Sequence, residues 1–502
     1  MAGGFLAYHE PGIVDILILI SFFYILSLAE WISARILRAG IVGQIAVGII
    51  YGKPLADILA LDWQETFLTL GYIGLILIIF EGGLSARLDL LKDSFVLSMF
   101  GAATGVCVPI GLSYLLLYLG FGYGAVETFI IGAALSATSL GTTFAVISSA
   151  SKTVDLAQTR VGAVLVSAAV IDDVVGLVMS SVIHNLSRLT ESPGDVNLGW
   201  LIGRPIVASI GMAIVTPLVT KYLFAPLFRR YIEDHFARYD HVSNICLMVL
   251  VLCAFLTIAA YTGTSVLFGA FLAGTFLSYL PSTHPDAPFV VMSREEGERE
   301  AHKSPTFVHT FERYLMDVQK YLMEPLFFAS VGFAIPFVQL WTGKRIWRGI
   351  VFSLLMVFAK VPPPFSVIKG RRAFIVGIWI PLWGALPTQR LQRRSRKARN
   401  EASEAERSNA TTHPPSDAAS RWLLPALLLG SAMVARGEIG LLIIEVGYNE
   451  TAYVSEDGFI TGVWAILLNT ILGPVGVGLI VKLYGERIVE GEWGLQVRSP
   501  GS

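Results

Sequence analysis

Mainly apolar runs of roughly twenty residues recur along almost the whole chain, and they decide what it can fold into. A helix needs about 20 such residues to cross the hydrocarbon core of a bilayer, where backbone polar groups must be satisfied internally. The runs predict thirteen membrane-spanning helices, at about 12–33, 38–53, 64–82, 95–119, 125–150, 158–185, 200–224, 242–259, 263–280, 320–340, 347–367, 421–447 and 458–482. The predicted fold class is an all-α polytopic membrane protein.

Composition agrees with this class and disfavours several others. The 502 residues are 54% hydrophobic and 15% charged, whereas soluble globular proteins are about 25% charged. The formal net charge of −1 provides no basic field that would attract nucleic acid, so we predict no nucleic-acid partner. The sequence has no Gly-rich phosphate-binding loop, which argues against an ATP-driven pump. We predict no cofactor and no enzymatic activity.

The basic residues predict how the chain is oriented in the membrane. With the N-terminus outside, about 28 of the 37 Lys and Arg residues fall on the cytoplasmic side and about six on the outer side, as the positive-inside rule requires. The C-terminus is then cytoplasmic. We predict a transmembrane domain at 1–367 and 421–485, a largely disordered cytoplasmic insertion at 368–420 and a cytoplasmic tail at 486–502.

Two adjacent carboxylates, Asp172 and Asp173, lie near the middle of the sixth predicted span. Each costs roughly 2.5–3.5 kcal/mol at the centre of a membrane helix, so such residues are usually functional. Neighbouring helix positions point about 100° apart, so one carboxylate can face a cavity while the other faces a neighbouring helix. The pair predicts a buried ion or proton site.

Lys360, well inside the eleventh predicted span, is the best candidate for a charge partner of this pair. A lysine changes its protonation state readily when it is desolvated, so a Lys–Asp pair can hold or release a proton. The alternative is a lysine that extends its ammonium group to one membrane interface.

Two further predicted spans are interrupted by polar or small residues. The fifth contains Ser136, Thr138 and Ser139 among glycines, and the twelfth contains Arg436 and Glu438 around a glycine. Broken helices at membrane depth are tolerated where they line a cavity or are covered by protein. Small-residue helix packing and a structural salt-bridge role are the alternatives. The two spans lie seven apart, as expected if spans 2–6 and 9–13 are five-helix inverted repeats.

Seven motifs in order resemble the monovalent cation:proton antiporter superfamily, in the branch of the sodium/proton antiporters and the potassium/proton exchangers. They lie at 42–49, 80–89, 136–139, 170–176, 268–274, 325–332 and 435–440. The resemblance implies the sodium/proton antiporter fold, with about thirteen helices, a dimerisation domain, a mobile core and two broken helices that cross at mid-membrane. It also implies a homodimer. The chain departs from the family pattern after Lys360, where about fifty extra residues intervene.

The resemblance also implies roles for single residues. Asp173 binds either a cation or protons, and Asp172 pairs with Lys360. Thr138 and Ser139 lie at the broken crossing, and Arg436 with Glu438 stabilises the second broken helix. No metal is expected beyond transported Na⁺ or K⁺ at Asp173. In the family, a paired-aspartate site is associated with electrogenic exchange.

The hypothesis that follows is a secondary antiporter, embedded in a bilayer, that exchanges Na⁺ or K⁺ for H⁺ by alternating access. A monovalent cation channel is the main alternative. An intramembrane aspartyl protease fits less well, because its two aspartates come from different helices and share a proton. The choice between Na⁺, K⁺ and Li⁺ stays open, and so does the choice between plasma and organelle membrane.

Overall fold

In a computed structural model, residues 10–86, 88–138, 160–191, 198–232, 240–280, 306–360 and 417–490 can be described, and these parts form helices and connections without any strand. The longer helices of the first half are α1 Ile13–Ile36, α2 Gly40–Tyr51, α3 Leu61–Leu84, α4 Leu88–Ser113, α5 Ala125–Ala134, α6 Arg160–Glu191, α7 Leu198–Val219 and α8 Ala225–Tyr231. The second half contains α9 Asp240–Thr262, α10 Val266–Tyr279, α11 Phe307–Tyr314, α12 Glu324–Ala334, α13 Gly343–Lys360, α14 Asp417–Val434, α15 Glu438–Asn449 and α16 Glu456–Glu490.

Wider π-helical turns extend or join some of these helices. Tyr114–Gly120 continues α4, Thr220–Phe224 joins α7 to α8, and Gln319–Met323 leads into α12. Two short helical segments, Met316–Val318 and Phe337–Leu340, flank α12 on either side. The polypeptide therefore crosses the membrane in segments of uneven length and regularity.

The all-α, multi-pass architecture predicted from the sequence is confirmed. At least one helix overlaps each of the thirteen predicted intervals. By length and composition, seven of the described helices are long and apolar enough to cross a membrane, or eight if the bent pair formed by α14 and α15 is one span. The number thirteen and the inverted repeats stay predictions.

Two helix ends differ from the predicted domain boundaries. Helix α14 begins at Asp417, four residues inside the predicted insertion 368–420, and α16 continues to Glu490, beyond the predicted boundary at 485. Both extensions contain charged residues, and a helix does not have to end where its apolar part ends. An acidic residue in the first turn of a helix also stabilises it through the helix dipole. The remainder of the insertion, 368–416, and of the tail, 491–502, lies outside the described residues.

The helices pack into two groups. The first group consists of α1, α2, α3, α9, α10 and α12, and its most extensive contacts join α3 to α10 and α1 to α2, followed by α2 to α12. Helices α2 and α12 approach backbone to backbone: a Cβ atom at Gly48 would lie 2.1 Å from the carbonyl oxygen of Ala329. Glycine is therefore required at this crossing.

The second group consists of α4, α5, α6, α13, α14, α15 and α16, and it contains the aspartate pair. Helix α6 packs between α4 and α15, while α13 and α14 both pack on α16. The two groups also touch through hydrogen bonds: the Ser265 amide, at the start of α10, donates to Ser181 Oγ on α6 at 2.6 Å. The ion-binding candidate thus lies on a helix that contacts both groups.

Candidate functional site

Asp172 and Asp173 lie near the middle of α6 and are 0% and 2% exposed. Their burial agrees with the expectation of a site inside the helix bundle. The two side chains have different surroundings, as neighbouring positions on a helix require. Asp172 has hydrogen-bonding and ionic partners, whereas Asp173 has neither among the described residues.

Asp172 belongs to a compact polar cluster. Its Oδ2 atom lies 3.5 Å from Lys360 Nζ and accepts a hydrogen bond from Thr138 Oγ1. Lys360 also donates to the carbonyl oxygen of Ser136 at 3.2 Å and to Thr138 Oγ1 at 3.4 Å. Lys360 is only 1% exposed, so its ammonium group does not reach a membrane interface. The structure therefore brings three predicted residues, from α6, α13 and the end of α5, to one point.

Asp173 differs from Asp172 in its partners. The Oδ1 atoms of both aspartates are buried and have no hydrogen-bond partner among the described residues, but Asp172 has an ion pair and a hydrogen bond through Oδ2. Two acidic groups, Glu438 and Asp172, interact electrostatically with Asp173. A buried carboxylate in such surroundings stays ionised only beside a bound cation and otherwise takes up a proton. Asp173 is chemically suited to hold one or the other.

Two helix breaks meet beside the aspartates. Helix α5 ends at Ala134 and is followed by a turn and two non-helical residues, Ala137 and Thr138. Helices α14 and α15 are separated by residues 435–437 and bend by 41°. Thr138 Oγ1 also donates to the carbonyl oxygen of Met433 at 3.4 Å. A side chain of the first break thus contacts the backbone at the end of α14 directly.

Arg436 joins the two breaks. Its Nη1 atom donates to the carbonyl oxygens of Ser136, at 3.0 Å, and Ala137, at 2.8 Å. Carbonyl groups at the end of a helix lack intrahelical donors and carry partial negative charge, so a buried guanidinium is a suitable partner. The Arg436 carbonyl in turn accepts from Thr470 Oγ1 on α16 at 2.9 Å. Glu438 is buried and forms the first residue of α15, where the helix dipole favours a carboxylate.

Gly105 on α4 is a site residue that the sequence reasoning did not identify. A Cβ atom there would lie 3.1 Å from Lys360 Nζ, 2.9 Å from Met433 Cε and 4.0 Å from Asp172 Oδ1. The absence of a side chain at this position provides the space for the lysine ammonium. A glycine in a membrane helix has many possible roles, so no local pattern reveals this one.

A second missed group lies at the N-terminal ends of α5 and α16. Glu127 accepts hydrogen bonds from the Gly124 amide at 3.1 Å through Oε2 and from the Ser455 amide at 3.0 Å through Oε1. Nearby, Arg345 at the start of α13 forms ion pairs with Glu456 at 3.0 Å and with Asp457 at 2.6 Å. These contacts connect helices of the second group far from the aspartates. Ser139, predicted to lie at the crossing, is outside the described residues.

Solved structures and curated proteins resemble this chain over most of its length. The structure of the sodium proton antiporter MjNhaP1 from Methanocaldococcus jannaschii, solved at pH 8, covers 93% of this chain and 98% of its own, with a TM-score of 0.57 and 17% identity. That likeness establishes the antiporter fold.

Two bacterial transporters align at similar identity. A Na⁺/H⁺ antiporter of Enterococcus hirae is 24% identical over 469 residues, which is 92% of this chain and 96% of that protein. The Na⁺/H⁺-K⁺ antiporter GerN of Bacillus cereus is 23% identical over 456 residues, 89% of this chain and 91% of its own length. Both relatives are transporters, which agrees with the expectation of a non-enzymatic protein.

The sequence profile described as "sodium/hydrogen exchanger, transmembrane" matches residues 18–388. This range contains most of α1 and all of α2 to α13, and with them both aspartates and Lys360. It covers well over half of the chain, and it agrees with the multi-pass membrane architecture and the antiporter fold described above. The chain belongs to the sodium/hydrogen exchanger family.

Proposed function

We propose that this protein is a secondary active antiporter that exchanges Na⁺ or K⁺ for H⁺, with Asp173 binding either the cation or a proton in competition. The observation that carries the proposal is that Asp173, buried in the middle of a membrane helix and beside two helix breaks, has no hydrogen bond or ion pair with the described residues, whereas Asp172 has both. Membership of the sodium/hydrogen exchanger family supports cation/proton exchange as the reaction. The names of the relatives support both Na⁺ and K⁺ as substrates.

The unequal surroundings of the two aspartates support unequal roles. Asp172 lies in an ion pair with Lys360 and accepts from Thr138, so a cation that bound there would have to displace a buried ammonium group. Asp173 has no such competitor. We assign the exchangeable site to Asp173 and a positioning or proton-linked role to Asp172 and Lys360, which Thr138 contacts. Thr138 and Ser139 are kept as proposed ion-site residues.

Arg436 and Glu438 are proposed to stabilise the second broken helix. The guanidinium of Arg436 satisfies carbonyl groups at the first break, and Glu438 is favourably placed at the positive end of α15. These interactions hold irregular backbone at membrane depth, where unsatisfied polar groups cost several kcal/mol each. Neither residue has to touch the transported ion for this role.

Movement of the second helix group against the first is the proposed source of alternating access. The second group contains the aspartates and both breaks, and it contacts the first group partly through polar contacts such as that between Ser265 and Ser181. Such contacts can be exchanged with water when the groups move, at little net cost. Binding of one ion at a time couples the two fluxes without ATP.

We further propose a homodimer, with the N-terminus outside and the C-terminus in the cytoplasm. The orientation follows from the distribution of Lys and Arg. The dimer is supported by α1, whose large apolar residues are mostly exposed, among them Ile13, Leu17 and Tyr24. In a membrane protein such a face contacts lipid or a second subunit.

Exchange in proteoliposomes tests the proposal. An imposed pH gradient should drive Na⁺ or K⁺ flux through the wild-type protein, with the two cations compared under clamped voltage. Asp173→Asn should abolish this flux, whereas Asp62→Asn, at an exposed position in the first turn of α3, should leave it unchanged. Full pH-driven flux through the Asp173→Asn variant would exclude the proposed role of Asp173.

A further inference from the structure

A second set of carboxylates connects the first helix group to the aspartate site. Glu81 lies near the end of α3, and Glu324 is the first residue of α12. Helix α12 packs against α15, which begins at Glu438. The carboxylates that interact electrostatically with Glu324 are Glu438, Glu30 and Glu81, and Glu438 interacts in the same way with Asp173. Glu81 and Glu324 lie on helices of the first group, whereas Glu438 and Asp173 lie on helices of the second.

Glu324 lies deep within the membrane-spanning part of the protein. A Cβ atom at Gly74 would lie 2.7 Å from the Met323 carbonyl oxygen, and one at Gly71 would lie 2.7 Å from Phe327 Cα. Gly71 and Gly74 are central in α3, so Glu324 is level with the middle of that helix. A carboxylate at this depth is costly, and side chains of this kind commonly mark an ion pathway.

Glu81 has a buried amide beside it. Gln319 Nε2 donates to Glu81 Oε2 at 2.5 Å, and Gln319 is only 3% exposed. Its Oε1 atom has no hydrogen-bond partner within the described part of the chain. Because Oε1 and Nε2 are bonded to the same carbon, this unpartnered acceptor lies next to the Glu81 carboxylate. Carboxylate and amide oxygens are the ligands that hard cations prefer.

Among the described residues, few basic side chains lie near Glu81 and Glu324. Lys320 is the basic residue in range of both Glu81 and Glu324. It is exposed, its ammonium group lies 5.8 Å from the centre of the Tyr321 ring, and it forms no ion pair with either carboxylate in the described structure. The carboxylates are therefore left with oxygen ligands and little compensating charge.

We propose that Glu324, Glu81 and the Gln319 amide form a second binding station for the transported monovalent cation, on the path between one membrane surface and Asp173. The inference rests on the proposed antiport function, because it takes the same cation as ligand. By the predicted orientation, the end of α3 faces the cytoplasm, so the station serves the cytoplasmic side.

Thermal unfolding of the purified full-length protein tests binding separately from transport. NaCl and KCl are compared with choline chloride at equal ionic strength, because a bound ligand raises the unfolding temperature by mass action. The Asp173→Asn variant should keep part of the Na⁺- or K⁺-dependent increase, and the double variant Asp173→Asn/Glu324→Gln should lose it. An identical increase in the single and double variants would overturn the second station.

Exchange kinetics provide a second readout. Glu324→Gln should raise the half-saturating cation concentration by about tenfold while the maximal rate stays within about twofold, the pattern of a lost binding interaction. Glu324→Asp should restore the wild-type value because it retains the charge, and Gln319→Leu should act in the same direction as Glu324→Gln. Glu65→Gln, at an exposed position on α3, is the matched control and should behave as wild type.

The outcomes separate the two proposals. Full exchange by Asp173→Asn would contradict the proposed function. Loss of exchange in Asp173→Asn together with an unchanged half-saturating concentration in Glu324→Gln and Gln319→Leu would overturn the second station alone.

Discussion

Arg436 donates a hydrogen bond of 2.8 Å to the carbonyl oxygen of Ala137, so a side chain from one helix break binds the backbone of the other. The same nitrogen also reaches the Ser136 carbonyl. That carbonyl accepts from Lys360 as well, which connects the crossing to the ion pair at Asp172. The breaks and the buried charges thus form one structural unit.

Loss of the Arg436 guanidinium is expected to destabilise this unit. Arg436→Gln leaves the buried Ala137 carbonyl without its charged donor and the Ser136 carbonyl with Lys360 alone, which should lower the free energy of unfolding by about 3 kcal/mol. Thermal unfolding in detergent measures the effect. Arg313→Gln, at an exposed position, is the control and should unfold like the wild type. An Arg436→Gln protein as stable as the wild type would show that the crossing holds without this contact.

The Lys360–Asp172 ion pair predicts strong coupling in a double-mutant cycle. Lys360→Met leaves Asp172 buried without a positive partner, which should cost about 3–5 kcal/mol. Adding Asp172→Asn removes the uncompensated charge, so the double variant should be more stable than Lys360→Met alone. Unfolding of the four proteins of the cycle measures the coupling. Strictly additive effects would mean that the two charges do not interact.

The space that Gly105 leaves beside Lys360 can be tested by adding a methyl group there. Gly105→Ala would place a methyl group 3.1 Å from Lys360 Nζ and 2.9 Å from Met433 Cε, which should displace the ammonium and cost about 1–3 kcal/mol. The rate of cation-dependent exchange by Gly105→Ala should also be lower than that of the wild type. Gly101→Ala, one turn away on α4, meets only Ala168 Cβ at 3.8 Å, so it should be neutral in the same assays. Equal behaviour of the two variants would contradict the steric account.

Substitution of Glu127 should lower the stability of the protein and have little effect on its ion selectivity. Glu127→Gln weakens charge-assisted bonds to the amides of Gly124 and Ser455, which should lower the free energy of unfolding by about 1.5–3 kcal/mol. Ser455→Ala, which removes the hydroxyl donor to Glu127 and the acceptor of the Gly458 amide at the start of α16, should cost a similar amount. The relative rates with Na⁺ and K⁺ should stay as in the wild type. A changed cation preference in Glu127→Gln would place this residue closer to transport than the structure suggests.

The features that the sequence predicts best are those that conflict with their surroundings. A carboxylate or ammonium within an apolar run, as at Asp172, Asp173 and Lys360, is conspicuous because hydrocarbon penalises charge. The same reasoning located the break at Arg436, where a polar triplet interrupts the run. Helix positions followed from the apolar runs, although α14 and α16 extend beyond them because polar residues also form helix.

The features that the sequence does not predict depend on contacts between distant segments. Gly105 matters only because Lys360, 255 positions later, folds against it. Glu127 resembles an ordinary residue at a helix start until Ser455 is brought to it. The Arg436 partners are backbone carbonyls, which every residue has, so no side-chain pattern distinguishes Ser136 and Ala137.

Competition between cation and proton at Asp173 is the central claim, and its most direct test is the pH dependence of cation exchange in proteoliposomes under clamped voltage. A carboxylate has to lose its proton before it binds a cation, so apparent affinity falls as the pH falls. In the pH range where Asp173 is mostly protonated, each decrease of one pH unit should raise the half-saturating concentration of Na⁺ or K⁺ about tenfold. The maximal rate should stay unchanged. A maximal rate that falls with pH at a constant half-saturating concentration would contradict competition at a single carboxylate.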